Sequence, residues 1–158
     1  ARQAQALAYV YDQILRCPLQ ATGAEIHHGG SSACYIPSID RIHMPAFEAF
    51  RDAESYYATL AHEVTHWTRH DSRLARDFGR ERFGDAGYAQ EELVAELGAA
   101  FLCADLQITL SERDDHASYI ASWLNVLKND NKAVFTAAAH AQRAVDFLHG
   151  KQAKKLAA

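Results

Sequence analysis

The chain has 158 residues, 49% of them hydrophobic and 23% charged, which fits one globular domain that can bury a core without disulfides or a structural metal. That composition excludes a collagenous, disulfide-stapled or largely disordered chain, and no apolar run approaches the roughly 18 residues of a membrane span. Sixteen Lys and Arg against twenty Asp and Glu leave a formal charge of −4, which is not the footprint of a domain that lives on nucleic-acid phosphates.

Residues Ala1 to Cys17 predict an amphipathic helix, with Leu7, Val10, Tyr11, Ile14 and Leu15 at helical spacing and Pro18 as the stop. No secretory signal is visible at this start. From Gly23 to Pro45 the texture changes to short β-like runs. Glu25 to His28, Ala33 to Ile36 and Arg41 to Met44 are candidate strands, separated by the turn residues Gly29-Gly30-Ser31-Ser32 and Pro37-Ser38-Ile39-Asp40. They predict a small antiparallel sheet. Beyond Pro45 the pattern is helical: Ala46 to Arg51, Ser55 to His70, Ala89 to Leu106, His116 to Leu127 and Lys132 to Leu148, with Gly150 as a closing signal. Asp77 to Gly87 reads as a glycine-rich loop. Residues 1–150 are expected to form one α+β domain, the sheet packed on a helical bundle, and 151–158 a disordered tail. The three cysteines, Cys17, Cys34 and Cys103, are far apart and contain no Cys-x-x-Cys pair. They suit a reducing, cytoplasmic setting.

Nine histidines are the compositional oddity, and two of them have metal-ligand spacing. His62-Glu63-Val64-Thr65-His66 is an H-E-x-x-H sequence inside a predicted helix. Residues i and i+4 share a helical face about 6 Å apart, so both imidazoles can meet one cation. Glu63, on a neighbouring face, can take a proton from an attacking water. A catalytic zinc site needs a third protein ligand. His70 lies one turn too far along a straight helix. The long metzincin signature is excluded because Arg69 and Ser72 stand where it needs Gly and His. Glu92 and Glu96 share a face of an otherwise apolar helix, and buried carboxylates there need a cation or strong donors. Gly98, Ala99 and Ala100 would let that helix pack closely on the His62 helix. Glu91 reads as an acid favoured at a helix start by the dipole.

The pair of motifs resembles the gluzincin arrangement, in which H-E-x-x-H is followed by a helix carrying E-x-x-x-D. The resemblance makes Glu92 the third ligand and Glu96 the acid that orients a ligand histidine. Glu96 stands where that class has Asp, which leaves open the swap that puts Glu96 on the metal. A wider set of residues runs from Tyr35-Ile36-Pro37-Ser38-Ile39-Asp40 and His43-Met44-Pro45 through Tyr56-Tyr57, Arg73-Leu74, Phe83-Gly84 and Tyr88-Ala89 to Glu91–Leu102 and His116–Trp123. It resembles the C-terminal zincin-like metallopeptidase domain of the ArdC-type antirestriction proteins of plasmids and phages.

That resemblance implies a zincin fold, a zinc ion (or Mn2+ or Co2+) and water-activated hydrolysis of a peptide bond. It also implies a protein or peptide substrate such as a restriction enzyme, and an N-terminal single-stranded-DNA-binding domain that is expected to be absent from this chain. The alternative function is a metal-stabilised module that masks a restriction enzyme, or cooperates with a DNA-binding domain, without proteolysis. His116 and Tyr119 are candidate donors to the oxyanion of a peptide substrate, with Tyr57 and Tyr88 as others; each also reads as a packing aromatic or polar group. The predicted strands Ala33 to Ile36 and Arg41 to Met44 are the sheet edges available to an extended substrate. His27, His28 and His43 read as surface or edge histidines. Arg69, Arg73, Arg76, Arg80 and Arg82, interleaved with acids, predict a solvated, salt-bridged surface. Cys103 is expected in the core.

Overall fold

The computed structural model of the protein describes residues 22–79, 85–108, 123–124, 127–128 and 130–156. The predicted first helix lies outside the described residues, and so do His116 and Tyr119. Among the described residues the order is β1 (Glu25–His28), β2 (Cys34–Ile36), β3 (Arg41–Met44), α1 (Ala53–Trp67), α2 (Ala86–Asp105) and α3 (Ala133–Leu156).

The sheet order is β1-β3-β2. β3 runs antiparallel to β2, with Tyr35 opposite Ile42, and parallel to β1, with Ile26 opposite Ile42. The sheet is therefore mixed, not antiparallel as the turn signals suggested. The reason lies in the two connections. Pro37–Ile39 forms a single 3-10 turn, and Asp40 closes it in the left-handed region at φ 49°, a tight reversal that pairs β2 with β3. The link through Gly29 and Gly30 is longer. It can step across two strand spacings, about 10 Å, so β3 inserts between β1 and β2. The Gly29 amide donates to the Met44 carbonyl at 2.9 Å, extending the parallel pairing by one bond. Arg41–Met44 is thus the central strand and cannot be an edge; the edges are β1 and β2.

Ile42 and Met44 alternate on the inner face of β3 and are wholly buried against the helices. They join Val64, Trp67, Leu102, Cys103, Val145 and Leu148 in the main core. The Cys103 thiol is pushed up to about 11 by burial. A second cluster, Leu93, Val94, Ala137 and Ala141, lies between α2 and α3. The alanines at 133, 137, 141 and 144 are at most 3% exposed, and their spacing makes a smooth stripe on α3 that lets α2 come close.

Helix boundaries follow local chemistry. α1 starts two residues before the predicted Ser55, because Asp52 caps it by accepting from the Ser55 amide at 2.8 Å. It ends at Trp67 rather than His70, in a tight turn where the Thr68 amide bonds back to Val64 and Thr65. The predicted helix at Ala46 is only a 3-10 turn, Phe47–Ala49. α3 does not stop at Gly150 but continues to Leu156, so the expected disordered tail is helical as far as that residue. Lys, Gln, Ala and Leu follow Gly150, and these strong helix formers carry the chain through one unfavourable glycine.

Arg73 ties the β2–β3 turn to the end of α1. Its guanidinium lies 3.8 Å from the Trp67 ring centroid, donates to the Trp67 carbonyl at 2.6 Å and to Asp40 Oδ2 at 2.9 Å, and reaches the Tyr35 hydroxyl at 3.2 Å. No helix among the described residues is long and apolar enough to cross a membrane.

α1 and α2 meet where Gly98 faces Thr65. A Cβ on Gly98 would sit 2.5 Å from Thr65 Cγ2 and 2.8 Å from Thr65 Oγ1. Alanine improves helix propensity by about 1 kcal/mol, but overpacking a crossing costs about 1–3 kcal/mol. Gly98→Ala is expected to lower the unfolding free energy by about 1 kcal/mol in denaturant titration. Adding Thr65→Ser, which removes the Cγ2 methyl, should recover part of that loss.

Candidate metal centre

α1 is buried almost continuously from Leu60 to Trp67, and this run contains His62, Glu63, Thr65 and His66. α2 brings Glu91 and Glu92 to the same seam, at 2% and 5% exposure. Burying this many polar groups is unfavourable unless each is compensated.

The helical repeat sets the geometry. His62 and His66, one turn apart on α1, point their Nε2 atoms toward each other at 3.1 Å. Glu92 completes a triangle: Oε2 lies 3.4 Å from His62 Nε2 and Oε1 3.4 Å from His66 Nε2. Ligand atoms around a tetrahedral ion with bonds of about 2.0–2.1 Å sit roughly 3.3 Å apart. The three side lengths match that spacing, and His62, His66 and Glu92 could hold a metal ion.

The outer ring nitrogens show why a cation fits. His66 Nδ1 lies 3.0 Å from Glu91 Oε1, and His62 Nδ1 lies 3.1 Å from Glu96 Oε1. A carboxylate only accepts, so the bond to Glu91 places a hydrogen on His66 Nδ1, and Nε2 of the neutral ring presents a lone pair. That lone pair, the His62 Nε2 atom and the Glu92 carboxylate then converge on one point, which favours a positive charge between them.

Glu96 therefore stands on the far side of His62 from Glu92, and the three-donor group does not include it. Its carboxylate faces the outer nitrogen, the location that orients a metal-binding histidine. Glu63 is 4% exposed on α1 between the two histidines. Its negative charge reaches Cys34 on β2: burial raises that thiol first, and Glu63 raises it further. Of the two edge strands, β2 is the one that packs substantially on α1.

Two members of the site were not legible as such in the sequence. Glu91, read as a helix-start acid, is buried against His66. Arg76, read as part of a solvated basic run, is 4% exposed and donates to both Glu91 oxygens at 2.7 Å. Glu91 is held below the ordinary carboxylate range: burial raises it, but Arg76 and His66 overcome that effect. Glu92 is lowered in the same way by the two imidazoles. Tyr57, a candidate oxyanion donor, packs edge-on against Phe47 and Tyr56 at the start of α1. His27 pairs with Glu25, His28 with the Tyr56 hydroxyl and His70 with Ser72. None of these histidines joins the metal-ligand group.

With no metal bound, a proton can supply the missing positive charge. Burial alone would lower His66, but hydrogen bonds to Glu91 and Glu92 overcome it and raise the imidazole from 6.5 to about 10. A metal must displace that proton, so binding is expected to release it and to tighten as pH rises toward 10. Calorimetry in buffers of different ionisation enthalpy reads the released proton directly. The folded value lies above the unfolded one. The stabilisation is therefore complete below pH 6.5 and is lost as pH rises through 10. Denaturation of the metal-free chain should show its midpoint falling across that window, whereas a flat profile would mean that His66 is neutral.

Comparison with known proteins gives the chain its relatives. The family model described as zincin-like metallopeptidase matches residues 15–140. The uncharacterized protein y4eC of Sinorhizobium fredii is 51% identical over 130 residues, 82% of this chain and 42% of that protein. The DNA primase TraC of Escherichia coli is 43% identical over 139 residues, 87% of this chain and 13% of the primase. Among solved structures, the antirestriction protein ArdC from plasmid R388 in its Mn(II)-bound form aligns with a TM-score of 0.81 at 45% identity, over 90% of this chain and 53% of that one. Its metal-free form aligns at 0.78 and 46% identity, over 89% and 50%. The chain thus spans half or less of the two sequence relatives and about half of ArdC. With the matched family model covering most of its length, the chain belongs to the zincin-like metallopeptidase family, and its structural neighbours are ArdC antirestriction proteins.

Proposed function

We propose that this chain is the metal-dependent peptide-hydrolysing domain of an antirestriction protein. The observation that carries the reading is the donor triangle of 3.1, 3.4 and 3.4 Å formed by His62, His66 and Glu92, with Glu63 buried beside it. His62, His66 and Glu92 are the ligands, and Glu96 orients His62. Two histidines and one carboxylate form a donor set suited to zinc in a catalytic site; manganese is the metal named for the ArdC relative. A bound divalent cation supplies Lewis acidity, polarising the scissile carbonyl and lowering the pKa of the attacking water.

The chain's own residues do the rest. Glu63 takes the proton of the attacking water and passes it to the leaving amine. β2, the edge strand packed on α1, pairs with an extended substrate through its open backbone groups. His116 and Tyr119 are assigned to the oxyanion of the substrate. The substrate class is a protein that would otherwise attack incoming DNA, such as a restriction enzyme, and contact with single-stranded DNA falls to a separate domain. The unbridged thiols Cys34 and Cys103 suit the reducing cytoplasm.

Metal content by plasma mass spectrometry on dialysed protein comes first. About one zinc per chain is expected in the wild type, with loss in His62→Ala. Glu63→Ala should keep the metal and lose at least about 100-fold in peptide cleavage, the scale of a positioned general base. Metal-free wild type, even after zinc is offered, would overturn the metal reading. DNA protection that survives Glu63→Ala would overturn the proteolytic reading in favour of a non-proteolytic binding module.

A further inference from the structure

Arg76 follows α1 on the loop toward α2, yet it is one of the most buried charged residues described. The loop is shaped to insert it. Ala75 takes a left-handed conformation at φ 46°, unfavourable for a residue with a Cβ. Backbone bonds from Leu74 to Thr68 and from Arg76 to Arg69, at 3.1 and 2.9 Å, fold the turn back on the end of α1. Inside, four of the five guanidinium N–H groups are engaged. Nε and Nη2 donate to the two Glu91 oxygens at 2.7 Å each, Nη1 donates to Thr68 Oγ1 at 3.1 Å and Nη2 to the Thr65 carbonyl at 3.1 Å. The same Glu91 Oε1 accepts from His66 Nδ1 at 3.0 Å.

Glu91 and Glu92 are adjacent in sequence, both are buried, and each faces one nitrogen of the His66 ring. A cation at the donor triangle would attract both. Only the forked, bidentate geometry of a guanidinium saturates both oxygens of one carboxylate and fixes its plane.

We propose that Arg76 and Glu91 form a positioning pair that locks His66 with its Nδ1 hydrogen turned away from the metal and its Nε2 lone pair toward it, while holding Glu91 out of the ligand set. The inference rests on reading His62, His66 and Glu92 as the metal ligands. It differs from a purely structural staple between loop and helix, for which the state of His66 would be irrelevant.

Arg76→Met/Glu91→Leu separates the two. Replacing a buried ion pair by apolar groups of similar volume is often neutral for stability, so the metal-free double variant should keep its fold by circular dichroism, while the pH dependence of its melting that comes from the His66–Glu91 bond should shrink. Its zinc affinity, measured by competition with a chelator, should fall about 10–100-fold, the usual effect of losing an outer partner of a metal-binding histidine. The cobalt(II) d–d absorption of the loaded protein should change as well, because the ring is no longer fixed. A folded double variant with wild-type zinc affinity and an unchanged cobalt spectrum would overturn the proposal and leave the pair as a staple. If the double variant does not fold, Glu91→Gln decides by the same two readouts: a weaker affinity and a shifted spectrum support the pair, and unchanged values sink it. Wild-type protein that takes up neither zinc nor cobalt would instead defeat the metal reading beneath it, a result visible before any variant is made.

Discussion

The close approach of α1 and α2 at Thr65 and Gly98 is the constraint on which the site depends. Because Gly98 has no side chain, the two backbones come near enough for Glu91 and Glu92 of α2 to reach the rings of His62 and His66 on α1. The same proximity excludes water from the seam. Desolvation would otherwise favour neutral carboxyl groups, yet Glu91 and Glu92 are both held in the charged form. Their partners must then offset the burial cost. Arg76 does so for Glu91, and the imidazoles do so for Glu92 only if a proton or a metal adds positive charge.

How much of this was legible in the sequence depended on how local each geometric relation is. The pairing of His62 with His66 follows from the helical repeat alone. Glu92 opposite them follows from a second helix whose acid sits on an otherwise apolar face. Glu91 escaped because neighbouring residues on a helix usually point apart. Here they reach the same ring from its two sides, because His66 lies where the helices cross. Arg76 escaped for a different reason. Its inward aim depends on an alanine in the left-handed region, a conformation that no propensity would assign to Ala75. A run of mixed charges looks solvated in one dimension, and only tertiary contacts reveal the one guanidinium that is withdrawn from it.

The fold shows the same division. Strand and helix positions read well from periodicity, including Glu25–His28 and Arg41–Met44 at their observed bounds. Strand order did not. Whether two short strands pair directly or leave room for a third depends on the reach of the intervening link, and Gly29 and Gly30 permit either. The consequence bears on the site, because the insertion of β3 removes Arg41–Met44 from the edge and leaves β2, among the described residues, as the edge strand packed on α1. The end of α3 misled in the opposite sense: Gly150 looked like a stop, but a glycine ends a helix only when the residues after it favour another conformation, and these favour helix.

The division of labour between core and site explains how such a centre can exist with or without its metal. The apolar contacts of Ile42, Met44, Val64, Leu102 and Leu148 and the alanine stripe of α3 hold the three helices and the sheet together, and none of them requires an ion. The polar seam is a separate network built within that frame. Its balance is unfavourable: among the described residues Glu91 has the Arg76 guanidinium as a partner, whereas Glu92 has only the two imidazoles. A proton on His66 relieves part of the excess negative charge, and a divalent cation relieves more while replacing that proton. A metal held by His62, His66 and Glu92 would then replace one cation by another at a position the helices already form. On that reading the seam would supply affinity through charge, and the groups beside the outer nitrogens, Glu91 with Arg76 and Glu96, would supply geometry.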